Sequence, residues 1–152
     1  MTHEAVTLDH ILSLPVGREL DAMVAERVMG LLVVKERWPL AWHTGKALSR
    51  DPEDVALWRD CLFIGSQTNS EGDRHIVPHY STSIAAAWEV VEKLRRSFTV
   101  EIHAYHEPDS GGNLFYVKLL NILRWDRSEA PRGRGSTAPL AIVRAALKAV
   151  MG

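Results

Sequence analysis

The stretch from Phe98 to Trp125 limits the possible folds more than any other part of the chain. Phe98, Val100, Ile102 and Ala104 alternate with Thr99, Glu101, His103 and Tyr105, and a period of two predicts a strand with one buried face. Glu107-Pro108-Asp109-Ser110-Gly111-Gly112-Asn113 is a turn cluster, and Leu114 to Trp125 supplies a return strand carrying Leu114, Phe115, Tyr116, Val117, Leu119, Leu120, Ile122 and Leu123. Together they predict an antiparallel hairpin.

Helices flank this hairpin. Upstream, Pro78 keeps His79 out of any helix begun earlier, so the next helix begins afterwards, with Ser81, Thr82 or Ser83 as its cap. Ile84, Trp88, Val91 and Leu94 recur at helical steps and predict the buried face, with Trp88 as a core anchor; Glu89, Lys93 and Arg96 fall on the solvated side. Downstream, a polar, glycine-rich run from Asp126 to Gly135 reads as a loop. A last helix follows from near Thr137, with Pro139 in its first turn and Leu140, Val143, Leu147 and Val150 buried. Near the N-terminus, residues 1–14 read as a loose lead-in or a short helix. Gly17 to Met29 reads as a helix with Leu20, Met23, Val24 and Val28 on its apolar face and Arg18, Asp21 and Arg27 outside it. Gly30 is placed to end it, and Leu31 to Lys35 reads as a strand.

From Glu36 to Val77 the pattern is least legible and reads as a variable insertion. Asp51-Pro52-Glu53-Asp54 resembles a helix start, which predicts a short helix over Val55 to Arg59. Cys61 to Ile64 reads as a strand ended by Gly65, and Gln67 to Arg74 as an exposed loop. The order helix, strand, insertion, helix, hairpin, helix predicts an α+β fold: a layered α/β/α sandwich, an antiparallel sheet with three main helices, in a single domain over residues 1–152.

Three blocks in this order carry a resemblance. They are Pro15-Val16-Gly17-Arg18-Glu19-Leu20 through Met29-Gly30, Tyr80 to Leu94, and Ser136 to Val150. On them the chain resembles the phage ABA sandwich domain family of small phage and prophage proteins. That resemblance implies a sheet between helical layers and an origin in a phage, but no activity for individual residues. The chain departs from the family's pattern in its long Glu36 to Val77 section and in Val143, where a cysteine is common.

Lys plus Arg number 18 against 19 for Asp plus Glu, so the chain lacks the general basic field that duplex nucleic acid requires, and no duplex partner is expected. Apolar runs are too short for a membrane span and the N-terminus lacks a secretion signal, giving host cytoplasm as the expected location and no membrane partner. Cys61 is alone, so it forms no internal disulfide and reads as a structural thiol. His75 and His79 are separated by Pro78, His103 and His106 fall on opposite strand faces, and neither pair has the spacing of a metal set. No cofactor fingerprint is present: Gly111-Gly112 belongs to the turn. Glu53 with Asp54 and Glu89 with Glu92 read as solvated charge.

Arg124, Arg127, Arg132 and Arg134 gather ahead of the helix start at Ser136-Thr137, where free N–H groups and bidentate guanidinium donors suit a phosphate. Tyr80-Ser81-Thr82 is a second hydroxyl-rich start with a ring beside it. The expected ligand-binding set is therefore Tyr80, Ser81, Thr82, Arg132, Arg134, Ser136 and Thr137. The expected function is non-enzymatic capture of a small phosphorylated or nucleotide ligand, a signal of host antiphage defence, by a homo-oligomer. Two alternatives stand beside it. One is a protein–protein adaptor, a host-factor inhibitor or phage assembly accessory using Trp38, Trp42 and Trp58. The other is a nucleotide-processing enzyme assembled from His79, Tyr80, Glu101 and His103.

Overall fold

A computed structural model of the chain describes residues 7–39, 58–65, 75–106, 109, 111–121, 123 and 130–152. It divides into two compact units, Met1–Leu31 with Pro78–Gly152, and Leu32–Val77. The segment read as an insertion lies within the second unit.

In the first unit the lead-in contains a helix, α1 (Leu8–Ser13), capped by Thr7, whose hydroxyl accepts from the His10 N–H. Helix α2 (Arg18–Met23) runs into a π-helical turn, Val24–Val28. Gly30, at φ +68°, ends it in the left-handed conformation expected of glycine, and the Leu31 N–H closes back on the Ala25 carbonyl at 2.8 Å. Leu20, Val24 and Val28 are buried as their spacing predicts. Asp21, expected outside that face, is fully buried. Pattern alone assigns a charge to solvent; here the carboxylate has polar partners inside the fold, described below, that remove the penalty.

Helix α3 (Ile84–Leu94) is capped by Ser83, whose hydroxyl accepts from the Ala86 N–H at 3.4 Å. Its buried face is Ala86, Ala87, Val90, Val91 and Leu94. Ile84 and Trp88 lie outside it, with Trp88 49% exposed, so Trp88 is not the core anchor its hydropathy predicts. The alanine and valine face allows α3 to pack closely against the last helix, α4 (Ala138–Met151), and a tryptophan on that face would hold the two apart. Thr137 caps α4 and Pro139 sits in its first turn, as expected. Leu140, Ala141, Ile142, Val143, Ala145, Ala146 and Leu147 are all buried, making α4 the hub of the unit, whereas Val150 is 45% exposed at its end.

Strands β4 (Phe98–His106), β5 (Asn113–Asn121) and β6 (Arg132–Gly135) form an antiparallel sheet in the order β4-β5-β6. The predicted hairpin is present, with Phe98 opposite Asn121 and His106 opposite Asn113. Its first strand has no fully buried face: exposure increases toward His106 and Ile102 is 39% exposed. The helices cover mainly β5 and β6, leaving this edge strand open. The return strand stops at Asn121, and Leu123 is 89% exposed.

Arg132 to Gly135, expected in a loop, is a strand. Glycine has low strand propensity, but here it has a steric role. A Cβ on Gly133 would collide with the Ala141 carbonyl and the Ala145 nitrogen, and one on Gly135 would come within 2.9 Å of the Ala141 nitrogen. The bare glycines let α4 lie directly on β6, and Arg132 and Arg134 alternate to the opposite, exposed face.

The second unit carries its own antiparallel sheet, β1 (Leu32–Pro39), β2 (Trp58–Gly65) and β3 (His75–Ile76), in that order. The expected strands from Leu31 and over Cys61 to Ile64 are both present. Trp58 and Arg59, expected at the end of a short helix, instead pair with Pro39 and Trp38. An eight-residue ladder on a central strand outweighs one local helix-start signal. The expected loop over Gln67 to Arg74 lies outside the described residues. Helices packed on an antiparallel sheet make the fold an α+β sandwich. Among the described residues no helix is long and apolar enough to cross a membrane.

Candidate functional site

A concavity of about 500 Å³ opens where the free edge of β6 meets α4, lined by Leu12, Tyr116, Arg132, Gly133, Arg134, Arg144 and Lys148. Arg132 and Arg134 come from the exposed face of β6, and Arg144 and Lys148 stand one helical turn apart on α4. Among the described residues no acidic side chain lines it, so four cations share one recess and their fields add.

Its geometry is partly fixed. Arg144 Nη1 donates to the Arg134 carbonyl at 2.9 Å, holding the guanidinium across the strand edge. Its Nε is buried and has no hydrogen-bond partner among the described residues. The Arg134 guanidinium lies 5.7 Å from the centroid of the Tyr116 ring, a cation–π arrangement that positions it over the sheet. A second recess, of about 530 Å³ beside α3, is lined by Met29, Glu89, Glu92, Lys93, Arg95 and Arg96. There Arg95 pairs with Glu92 at 3.0 Å and Lys93 Nζ donates to the Met29 carbonyl at 3.0 Å, and acids line it beside the cations.

Of the seven residues expected to bind ligand, only Arg132 and Arg134 line the cationic concavity. Tyr80 and Ser81 are buried at 1% and 0% exposure. The Ser81 N–H donates to Asp21 Oδ1 at 2.7 Å, and its hydroxyl accepts from the Gly17 N–H at 3.1 Å. Asp21 Oδ2 also accepts from Arg18 Nη1 at 2.9 Å, with His79 Nδ1 at 3.8 Å. The hydroxyl-rich start thus forms a clasp inside the fold rather than a mouth for ligand. Thr82 and Ser136 are exposed but do not line the recess, and Thr137 is engaged as the α4 cap. Arg124 and Arg127 lie outside the described residues.

Tyr116, Arg144 and Lys148 were not anticipated. The i, i+4 spacing of Arg144 and Lys148 within an otherwise apolar helix is the sequence signal that marks them. The scattered enzyme candidates form two separate groups: Glu101 with His103 at 3.6 Å on β4, and His79 with Asp21 and Arg18. No hydrogen bond or ion pair joins the groups among the described residues. No cluster of three or more His, Cys, Asp or Glu there is placed to hold a metal ion.

Burial raises the pKa of the Tyr80 phenol above its ordinary 10.0, and the negative charges of Glu89 and Asp21 add to the shift. The folded protein therefore holds this proton at pH values where the unfolded chain has released it. Stability is expected to fall as pH rises above about 10 and through the raised folded value. Urea denaturation between pH 8 and 11 should show that decline, and Tyr80→Phe should flatten it; an equal decline in the variant would assign it to other groups.

Helices packed on a three-stranded antiparallel sheet, with a cationic recess at the sheet edge, define a small α+β sandwich. The chain belongs to the phage ABA sandwich domain family, whose sequence profile matches residues 22–147. Among solved structures it is similar to a phage protein from Bacillus cereus ATCC 14579, with 18% identity, a TM-score of 0.53, and coverage of 92% of this chain and 95% of that one. That likeness concerns the fold. No curated protein matches the sequence.

Proposed function

We propose that this phage-family protein binds a small phosphorylated ligand without turning it over, and that Arg132, Arg134, Arg144 and Lys148 hold its phosphate groups. One observation carries this reading: among the described residues, four cations and no acid line one recess of ligand size. The buried Arg144 Nε, a donor lacking an acceptor among the described residues, supports it. Arginine offers paired donors that match phosphate oxygens, which lysine alone does not. In a phage context, sequestration of a nucleotide signal of host defence is the use that fits such a recess.

Isothermal titration at low salt with tripolyphosphate, ADP-ribose, cyclic nucleotides and nucleoside triphosphates tests it. Loss of a charge-assisted hydrogen bond is worth about 1.5–3 kcal/mol, so Arg132→Ala or Arg144→Ala should weaken binding by roughly 10- to 100-fold. Raising the salt should weaken it further. Silence across the panel, or full affinity in both variants, would overturn the reading.

A further inference from the structure

The concavity does not end at β6. Tyr116 lines it and also stands in register between Arg134 on β6 and His103 on β4, so one row crosses the sheet. The His103 and Tyr116 ring centroids are 6.4 Å apart. Along β4, His103 and Tyr105 are 6.2 Å apart with their planes within 20°. Tyr105 is 53% exposed and the His103 side chain 47%. Because Gly133 and Gly135 turn the other face toward α4, these rings share the face opposite that helix.

We infer that the ligand is a phosphorylated nucleoside whose base lies on this aromatic row of Tyr116, His103 and Tyr105. The inference rests on the reading that the recess takes the phosphates. Charge sets the polarity. Cations stand on β6 and α4, whereas Glu101 lies on β4 beside His103 at 3.6 Å and opposite Lys118. A phosphate is favoured at the β6 end and disfavoured at the β4 end, where an uncharged ring with exocyclic donors suits both the exposed aromatics and the carboxylate. Strands lie about 4.8 Å apart, so β6 to β4 spans about 10 Å, which one nucleotide reaches from phosphate to base. Aromatic side chains on an open sheet face are an established platform for base stacking.

The same chemistry is offered by a free nucleotide and by a single-stranded polynucleotide, and titrations of the full chain separate them. The probes are ATP, tripolyphosphate and a labelled single-stranded oligothymidylate, each against wild type, Tyr105→Ala, His103→Ala, Tyr105→Phe and Arg132→Ala. Stacking on one ring is worth about 1–3 kcal/mol, so Tyr105→Ala should lower ATP affinity by roughly 5- to 100-fold. It should leave tripolyphosphate unchanged, and Tyr105→Phe should retain ATP affinity. Arg132→Ala should weaken both probes. Tighter binding of ATP than of the oligonucleotide identifies a free nucleotide, and the reverse a single strand; either supports the base subsite. If Tyr105→Ala and His103→Ala both bind ATP as wild type does while tripolyphosphate still binds, the subsite is overturned and the phosphate reading stands. If ATP binds with Tyr105 sensitivity but with full affinity to Arg132→Ala and Arg144→Ala, the phosphate reading falls and only the ring contact is left. If no probe binds, both fall.

Discussion

Gly133→Ala is expected to destabilise the first unit by about 3 kcal/mol or more, the upper end of overpacking effects. The added methyl would meet the Ala141 carbonyl and the Ala145 nitrogen, atoms of the α4 backbone that no rotamer change can move. Relief requires α4 to lift from β6, and α4 also packs on β5, α3, α1 and the π-helical turn. One methyl therefore strains most of the core. For a chain of this size the fall in melting temperature is roughly 10 °C. Gly135→Ala should have a smaller effect, because its nearest contacts lie at 2.9 Å rather than 2.1 and 2.4 Å, and one of them, Leu140 Cγ, can turn aside. Gly111→Ala should cost about 1 kcal/mol, since nothing lies within 4 Å and the penalty is that of a positive φ. Thermal denaturation of the three variants reads this order directly. A Gly133→Ala protein melting within a degree or two of wild type would show that α4 does not sit on the strand.

Asp21→Ala should be nearly as damaging, with a loss of about 2–3 kcal/mol, because a buried amide loses a charged acceptor. Removing the carboxylate leaves the buried Ser81 N–H without its 2.7 Å acceptor and takes away the 2.9 Å bond from Arg18. Ser81→Ala keeps the carboxylate contact and loses only the hydroxyl's two bonds with Gly17, about 1 kcal/mol. Urea denaturation distinguishes the two. Loss of less than about 1 kcal/mol in Asp21→Ala would mean that Ser81 finds another acceptor and the clasp is dispensable.

Both predictions concern residues that the sequence presents misleadingly. The hairpin from Phe98 (though not its end), a cap among Ser81 to Ser83, the helix start at Thr137 and the stop at Gly30 are legible because each depends on local periodicity or on one residue's backbone preference. Asp21 and Arg132-Gly133-Arg134-Gly135 are not. A charged residue on an amphipathic helix is assigned outward unless its distant partner, here Ser81, is known. Glycine discourages a strand reading unless the overlying helix is known. Trp88 shows the reverse error: a large apolar ring is assigned inward, yet the close α3–α4 contact favours alanine and valine. For the site, Arg132 and Arg134 were visible as a basic cluster. Tyr80 and Ser81 carry suitable chemistry but spend it within the fold, and Tyr116, Arg144 and Lys148 join the arginines only through tertiary packing.

The clasp also bears on chain entropy. Gly17, Arg18 and Asp21 precede the second unit, Leu32–Val77, while Pro78, His79 and Ser81 follow it, and the bonds among them lie wholly within the first unit. Closing a loop depends only logarithmically on its length, about 0.6 kcal/mol for each doubling. Once these residues hold the two ends, the intervening chain can lengthen, shorten or change composition at little expense to the sandwich. The segment between Leu31 and Pro78 is therefore where such a scaffold can diversify fastest without refolding.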